Sequence, residues 1–368
     1  MNSPHSADSK NQTANRPTKH SATQGRHSAQ ANVSNSTADL PARSNTWPRL
    51  ALGAMVFLAI LGLVLGIYWS RQPETQDVHE LIAQHINNSG GQPVPGTAFV
   101  ATTIFVGDTL LRKPGGFLHN DRFPPGALMD NMPSWECGMV MALRDALQTL
   151  RNDFTRAQSQ SREELKVKRA DMQFAINPKS WMMPAAEDEY RKGLDALELY
   201  FDDLSDQTTN AAEGFYPRAD NLAAYLGLVE KRLGNFGVRL SNSVADAGLA
   251  GITQDSESEP TIDGELDRGK LPDVDTVFYC ARGYSWALLH FMRALEMDFA
   301  PVLESKHAEV NMQLIIRDLD GAVKRMRSPM VLNGHGYGLV ANHSLVIASY
   351  ISRVNAAIID LKLLLLQG

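Results

Sequence analysis

Side chains that could carry acid–base chemistry gather in residues 113–136, which read KPGGFLHNDRFPPGALMDNMPSWE. Long unpatterned loops inside compact domains are usually functional or are packed Ω-loops. Asp121, Asp130 and Glu136 could serve as general acids and bases or bind a hard cation such as Ca²⁺. Structural roles compete with that chemistry. Asp-Asn pairs in turns form local backbone hydrogen bonds, and Ser134 is placed to cap the following helix, with Glu136 in its first turn.

A second loop, residues 328–344, reads SPMVLNGHGYGLVANHS and offers two histidines. Its glycines are spaced G-x-G-x-G rather than G-x-G-x-x-G, and no strand pattern precedes them, which disfavours a nucleotide site. His335 and His343 could act as a base or as metal ligands, but their spacing matches no zinc-protease motif. Hydrogen-bonded structural histidines are the alternative, and His290 in an apolar helix is interpreted the same way. The sequence therefore predicts no metal and no cofactor.

Two cysteines, Cys137 and Cys280, exclude a disulfide-rich scaffold and any four-cysteine metal site. Both lie in helical patterns among apolar neighbours, so two buried thiols are the default interpretation. A disulfide between them is the alternative if the domain lies outside the cytoplasm. The sequence contains no G-x-S-x-G motif, the pattern that would indicate a serine nucleophile.

The run KPGGFLHND…PPG…LMDNMPSWE, from Lys113 to Glu136, resembles the hallmark of a bacterial inner-membrane family, domain of unknown function 2333. A short apolar anchor, a helical bulk and a glycine-rich turn near the C-terminus fit the same family over about residues 50–368. The resemblance implies an envelope protein without an assigned activity. It therefore assigns no role to any residue.

The first predicted element of the chain, ahead of both loops, is an uncharged stretch. It is Leu50–Trp69, which reads LALGAMVFLAILGLVLGIYW. Twenty helical residues extend about 30 Å, the thickness of the hydrocarbon core of a bilayer. Trp47 precedes the stretch and Tyr68 and Trp69 end it, as in the aromatic belts of membrane spans. A buried core helix of this length without one charge is rare, and a signal peptide has a shorter apolar region followed by a small-residue cleavage site. The stretch is therefore predicted to anchor the chain in a lipid bilayer.

The net charge of −6 is unevenly divided along the chain. Residues 1–49 hold six basic and two acidic side chains, residues 50–69 hold none, and residues 70–368 hold 29 basic and 39 acidic ones. Because basic residues are denser before the span than after it, we expect the tail in the cytoplasm and the C-terminal domain across the inner membrane, in the periplasm. The acidic domain disfavours nucleic-acid binding.

Beyond the span, the sequence predicts an all-α fold, a single N-terminal transmembrane helix followed by a bundle of seven to nine helices. Apolar residues recur at three- and four-residue spacing, and residues 274–299 and 339–366 are apolar nearly all round, as in central helices. The second of these is long enough to span a membrane, but Arg353, Asp360 and Lys362 favour a packed helix.

Two polar segments are expected to lie outside this bundle. The basic tail, residues 1–49, lacks the apolar residues that a folded segment needs and is predicted to be disordered. Residues 253–273 are acidic and contain two prolines, which predicts a surface loop that separates two helical halves of domain 70–368.

The sequence favours a non-enzymatic envelope protein that interacts with another envelope protein or has a structural role. The alternative is a hydrolase or lyase that acts on an envelope polymer through Asp121, Asp130, Glu136 and His335. That alternative requires the two loops to line one cleft.

Overall fold

The computed structural model of the chain describes residues 47–156, 163–206, 214–244, 274–326, 328, 331–332, 334 and 341–367. Within these ranges it contains eleven α-helices and no β-strand, with one isolated bridge between Trp181 and Ala185. The all-α prediction is confirmed. The predicted tail up to residue 46, the predicted acidic loop and His335 lie outside the described residues.

The chain divides into two compact units, Met1–Leu52 and Gly53–Gly368, and the helices after α1 belong to the second. The helices are α1 (Trp47–Trp69), α2 (Val78–Ser89), α3 (Thr97–Arg112), α4 (Asn131–Thr149), α5 (Leu165–Phe174), α6 (Ala186–Ser205), α7 (Ala219–Val244), α8 (Val274–Asp298), α9 (Ala300–Ser305), α10 (Glu309–Val323) and α11 (His343–Leu366). A 3₁₀ turn, Gly126–Leu128, precedes α4, and a π-helical turn, Leu150–Phe154, extends it. Ten helices thus follow α1 in the described part of the chain, more than the seven to nine predicted, because short helices show too few turns for a clear apolar period.

Helix α8 is the centre of the bundle. It packs against α4, α3 and α10, and nearly all of its side chains from Val277 to Leu295 are buried. A helix in that position must be apolar on every side, which confirms the sequence interpretation of this segment. Phe291 of α8 meets Phe99 of α3 with 5.5 Å between ring centroids.

Helices α4 and α8 approach each other backbone to backbone. A Cβ atom on Gly138 would lie 2.0 Å from the carbonyl oxygen of Cys280, and one on Gly283 would lie 1.8 Å from the carbonyl oxygen of Trp135. Both distances are far below van der Waals contact, so this crossing requires glycine at both positions.

The two cysteines lie on these same two helices. Cys137 on α4 is half-buried and Cys280 on α8 is buried. The Sγ atom of Cys280 lies 3.9 Å from the Sδ atom of Met141, a contact between polarisable sulfur atoms within the core.

Helix α11 is packed along one face. Ile347, Ile351, Val354 and Ile358 are buried where α11 contacts α7 and α10. By length and composition, α1 and α11 are the described helices that could cross a membrane; the most apolar stretch of α1 is 0% buried and that of α11 is 39% buried. The buried face of α11 agrees with the interpretation of this segment as a packed helix. The prediction that it is a central helix was wrong, because Leu345, Val346 and Leu363 on its other face are exposed.

The first turn of α3 is capped by a carboxylate from the end of α8. Asp298 Oδ1 accepts hydrogen bonds from the backbone N–H of Gly96 at 2.8 Å and of Ala98 at 3.4 Å, and its Oδ2 accepts one from Phe99 at 2.8 Å. Burial raises the pKa of Asp298 to about 7, although the three N–H donors act in the opposite direction. This cap holds the start of α3 against the end of α8.

The crossing of α4 and α8 can be tested with an alanine at Gly283. Because the added methyl group meets backbone atoms that cannot rotate away, we expect Gly283→Ala to lower the free energy of unfolding by about 1–3 kcal/mol. The matched control is Gly237→Ala on α7, where nothing lies within 4 Å of the new Cβ and the better helix propensity of alanine should raise stability by up to about 1 kcal/mol. Chemical unfolding of the full chain in detergent, followed by circular dichroism, measures both. Equal effects would contradict the close crossing.

The Asp298 cap predicts a pH dependence. Its pKa is about 7 in the folded state, above the ordinary 3.8, so the stability it contributes is complete below pH 3.8 and is lost as the pH rises through about 7. Asp298→Asn removes this titration. We expect wild type to lose stability relative to the asparagine variant, by up to about 1.4 kcal/mol per pH unit, between about pH 4 and pH 7. Unfolding of both proteins across that range measures the difference, and a pH-independent difference would contradict the raised pKa.

Candidate functional site

The loop between α3 and α4 is closed by a buried ion pair. Lys113, the residue after α3, contacts Glu136 on α4, and both side chains are 0% exposed. Lys113 Nζ also donates to the carbonyl oxygen of Gly116. Both carboxylate oxygens of Glu136 accept from the backbone N–H of Leu118 at 3.0 Å. The two ends of the loop are therefore held together by an ion pair that is buried away from solvent.

Burial dominates the electrostatics of this pair. It raises the pKa of Glu136 to about 7, while the charge of Lys113 and the backbone N–H groups of Leu118 and His119 oppose the rise. A dehydrated carboxylate keeps its charge only with such partners. Glu136, a predicted acid–base candidate, thus lies in the interior with its lone pairs directed at loop groups.

Asp130 starts α4, and this corrects the predicted cap. The structure has Asp130 as the N-cap, with its side chain accepting from the backbone N–H of Asn131 at 2.8 Å. The predicted cap, Ser134, lies inside the first turn and donates its hydroxyl to the carbonyl oxygen of Asp130 at 2.7 Å. The prediction at Ser134 was wrong because Asp130 and Ser134 are both good capping residues and the helix begins four residues earlier. Glu136 consequently lies beyond the first turn.

Asp121 lies near a second carboxylate. Although Asp121 is exposed, its pKa is raised by partial desolvation of the carboxyl group and by the charge of Glu187, with Lys113 acting in the opposite direction. The neighbouring Asn120 donates through Nδ2 to Glu187 Oε2 and to the carbonyl oxygen of Ser180, both at 2.8 Å. These bonds join the loop to the segment between α5 and α6, through Ser180, and to the first turn of α6, through Glu187.

The backbone conformation at the start of the loop explains its two consecutive glycines. Gly115 and Gly116 have φ values of +88° and +69°, the left-handed region that disfavours other residues. The tryptophan that ends α1 lies against this turn, since a Cβ on Gly115 would be 2.8 Å from Cγ of Trp69 and 3.2 Å from Cδ2 of Leu118. The loop therefore begins in contact with the end of α1.

Helix α8 holds the extended segment 70–77 that follows α1. Arg282 donates to Gln72 Oε1 at 3.2 Å and to three carbonyl oxygens at the end of α10, those of Ala322, Val323 and Lys324. His290 Nε2 accepts from the backbone N–H of Gln76 at 3.2 Å, and its Nδ1 donates to the carbonyl oxygen of Trp286 at 2.8 Å. Burial lowers the pKa of His290 to about 4, so the ring is neutral. The structural interpretation of His290 fits these contacts.

Beside this segment lies an open cleft of about 360 Å³. Its walls include Arg71 and the end of α3, where Arg112 pairs with Asp108 at 2.7 Å. Of the predicted candidates in the described residues, none lines the cleft. Within the same ranges, no three histidine, cysteine, aspartate or glutamate side chains are arranged to hold a metal ion.

In the second predicted loop, the described part shows a local arrangement around His343. His343 Nδ1 accepts from the backbone N–H of Leu332 at 2.9 Å, and the backbone N–H of His343 donates to the carbonyl oxygen of Leu332 at 2.7 Å. The ring lies 6.4 Å from that of Phe278 at the start of α8. These contacts fit a structural histidine.

A family model described as "Uncharacterized protein conserved in bacteria (DUF2333)" matches residues 42–368. The chain belongs to this family. No curated protein and no solved structure matches it. The DUF2333 match extends from just before α1 to the C-terminus, so the family unit includes the apolar helix, the loop and the whole bundle. The resemblance seen in residues 113–136 is thereby confirmed.

Sequence reasoning missed two residues on which this DUF2333 architecture depends. Lys113 gave no signal, because its partner Glu136 lies 23 positions away with no helical period between them. Arg282 is a charged residue within an otherwise apolar helical segment. That unusual position is the signal that could have indicated its buried role.

The ion pair can be tested by a double-mutant cycle. Lys113→Met leaves a buried carboxylate without its cation and should lower the free energy of unfolding by about 3–5 kcal/mol. Glu136→Gln keeps the shape and the acceptor for Leu118. The double variant should be more stable than Lys113→Met alone, because it buries no charge. Chemical unfolding of the four proteins measures the coupling, and additive effects would contradict a direct pair.

Proposed function

We propose that this DUF2333 protein is a single-pass inner-membrane protein whose helical domain contacts another envelope component. In this proposal α1 is the anchor, residues 1–49 lie in the cytoplasm, and residues 70–368 form a periplasmic domain. The observation that carries the proposal is the exposure of α1. Every side chain from Trp47 to Leu61 is exposed, and none between Leu50 and Trp69 is charged. Such a surface is stable only in contact with lipid or with another apolar surface.

The flanks of α1 support the orientation. Arg49 precedes the apolar stretch within a tail of net positive charge, and Arg71 follows it before a domain of net negative charge. Basic residues are retained on the cytoplasmic side of a membrane. Tyr68 and Trp69 at the end of α1 have the amphipathic rings that prefer the level of the lipid head groups.

The charges of α11 support a single span rather than two. Arg353 Nε lies 3.3 Å from Asp318 Oδ2 on α10, and Lys362 pairs with Glu230 on α7. Charges in a bilayer would cost about 2.5–3.5 kcal/mol each near the midplane, whereas these are paired within the bundle.

A role in binding rather than catalysis is supported by the state of the ionisable groups. Glu136, Asp298 and His290 are buried, and their polar atoms are directed at backbone groups or at a partner charge. Groups used in this way position helices and loops. The alternative, a hydrolase or lyase, stays a prediction, and it depends most on Asp121, an exposed carboxyl group with a raised pKa.

The anchor can be tested by placing charges in α1. Leu58→Arg with Leu61→Arg should release the protein from membranes under alkaline carbonate extraction, because each buried guanidinium costs about 2.5–3.5 kcal/mol on insertion scales. Leu345→Arg with Val346→Arg on the exposed face of α11 is the matched control and should leave the protein in the membrane.

Two further readouts complete this experiment. An N-terminal epitope tag should remain on the mature protein, since an anchor is kept whereas a signal peptide is removed. A C-terminal alkaline phosphatase fusion should be active. Loss of the tag, an inactive fusion, or release by the α11 control alone would contradict a single-pass anchor with a periplasmic domain.

A further inference from the structure

Two neighbouring loops of the bundle expose large apolar side chains at their tips. Phe123 and Leu128, in the loop before α4, are 76% and 80% exposed. Trp181, Met182 and Met183, in the loop before α6, are 49%, 53% and 86% exposed. We call these five side chains the loop patch. Large apolar side chains exposed together on neighbouring loops are typical of a surface that contacts a membrane or a protein.

The two loops are joined at their bases, so their tips lie on neighbouring parts of the bundle. Asn120 Nδ2 donates to the carbonyl oxygen of Ser180, directly before Trp181, and to Glu187 Oε2, both at 2.8 Å. Each tip is also folded on itself. The backbone N–H of Ala127 donates to the carbonyl oxygen of Phe123 at 3.0 Å, and the Trp181–Ala185 bridge closes the other tip.

The patch lies close along the chain to the end of α1. Gly115 is packed against Trp69, and Leu118 folds back against the same glycine. Asn120, which joins the loops, is two residues beyond Leu118, a reach of at most about 7 Å. The joined loops therefore begin near the last turn of α1.

The composition of the patch fits the interfacial zone of a bilayer. Trp is enriched at the head-group level, and Phe and Leu are typical of apolar faces that insert at the boundary between head groups and acyl chains. Exposed Arg122 and Lys179 flank the two tips, where basic side chains can reach lipid phosphates while their stems stay among apolar groups. The domain as a whole is acidic, so its contact with a membrane must come from apolar insertion rather than from attraction by net charge.

We propose that the loop patch inserts into the outer leaflet of the bilayer that α1 spans, so that the bundle rests on the membrane through a second contact. This inference rests on the proposed membrane anchor. The patch and α1 together hold the domain at a fixed height and tilt. The cleft beside Arg71 then opens at the level of the lipid head groups.

The test is site-specific photocrosslinking in the full-length protein. A benzophenone amino acid replaces Phe123 or Met183 in the patch, and Val238 on α7 or Val310 on α10 as controls that are 61% and 64% exposed. A fifth protein carries it at Phe57 in α1. Each is reconstituted in vesicles of phosphatidylethanolamine and phosphatidylglycerol, illuminated, and analysed by mass spectrometry for lipid adducts.

We expect lipid adducts at positions 123 and 183 at least tenfold above those at positions 238 and 310, together with adducts at position 57. Adducts at 57 with yields at 123 and 183 equal to the controls would overturn the inference and leave the anchor standing. No adduct at 57 would overturn the anchor and the inference with it. In intact cells, crosslinks from 123 and 183 to a protein rather than to lipid would also overturn insertion.

Discussion

The buried contact between Lys113 and Glu136 is the constraint on which the architecture around the loop depends. Each charge has lost its water, and neither is stable in the interior without the other. Lys113 also binds the carbonyl oxygen of Gly116, and Glu136 binds the backbone N–H of Leu118, so the pair determines the path of the loop as well as its ends. The backbone of Leu118 is fixed in this way although the segment has no helix or strand periodicity.

This constraint connects the apolar helix to the bundle. The turn held by Lys113 lies against Trp69 at the end of α1, and the following segment is bound by Arg282 and His290 of the central helix α8. The link between α1 and α2 is therefore held along its length rather than extended freely into solvent. In the proposed topology, with α1 as the anchor, these contacts hold the neighbouring loops at a fixed distance from the membrane end of α1.

The sequence was sufficient for the features that depend on local pattern. The uncharged stretch ending at Trp69 predicts α1 by length alone, and the apolar surface of α8 predicts its central position. Features that depend on distant contacts were not predictable. The ion partner of Lys113 becomes visible only in three dimensions, because Glu136 lies 23 positions further along the chain. The cap of α4 was misplaced because two good capping residues lie one turn apart.

The most direct measurement of the central claim is hydrogen exchange at the backbone amide of Leu118 in the full chain. That amide lies in a loop without regular secondary structure, yet both oxygens of the Glu136 carboxylate accept from it. If the buried pair holds the loop, Leu118 exchanges as slowly as the core amides of α4, and this protection is lost when Lys113 is replaced by methionine. Exchange of Leu118 at the rate of exposed loop amides in the wild-type protein would contradict the account.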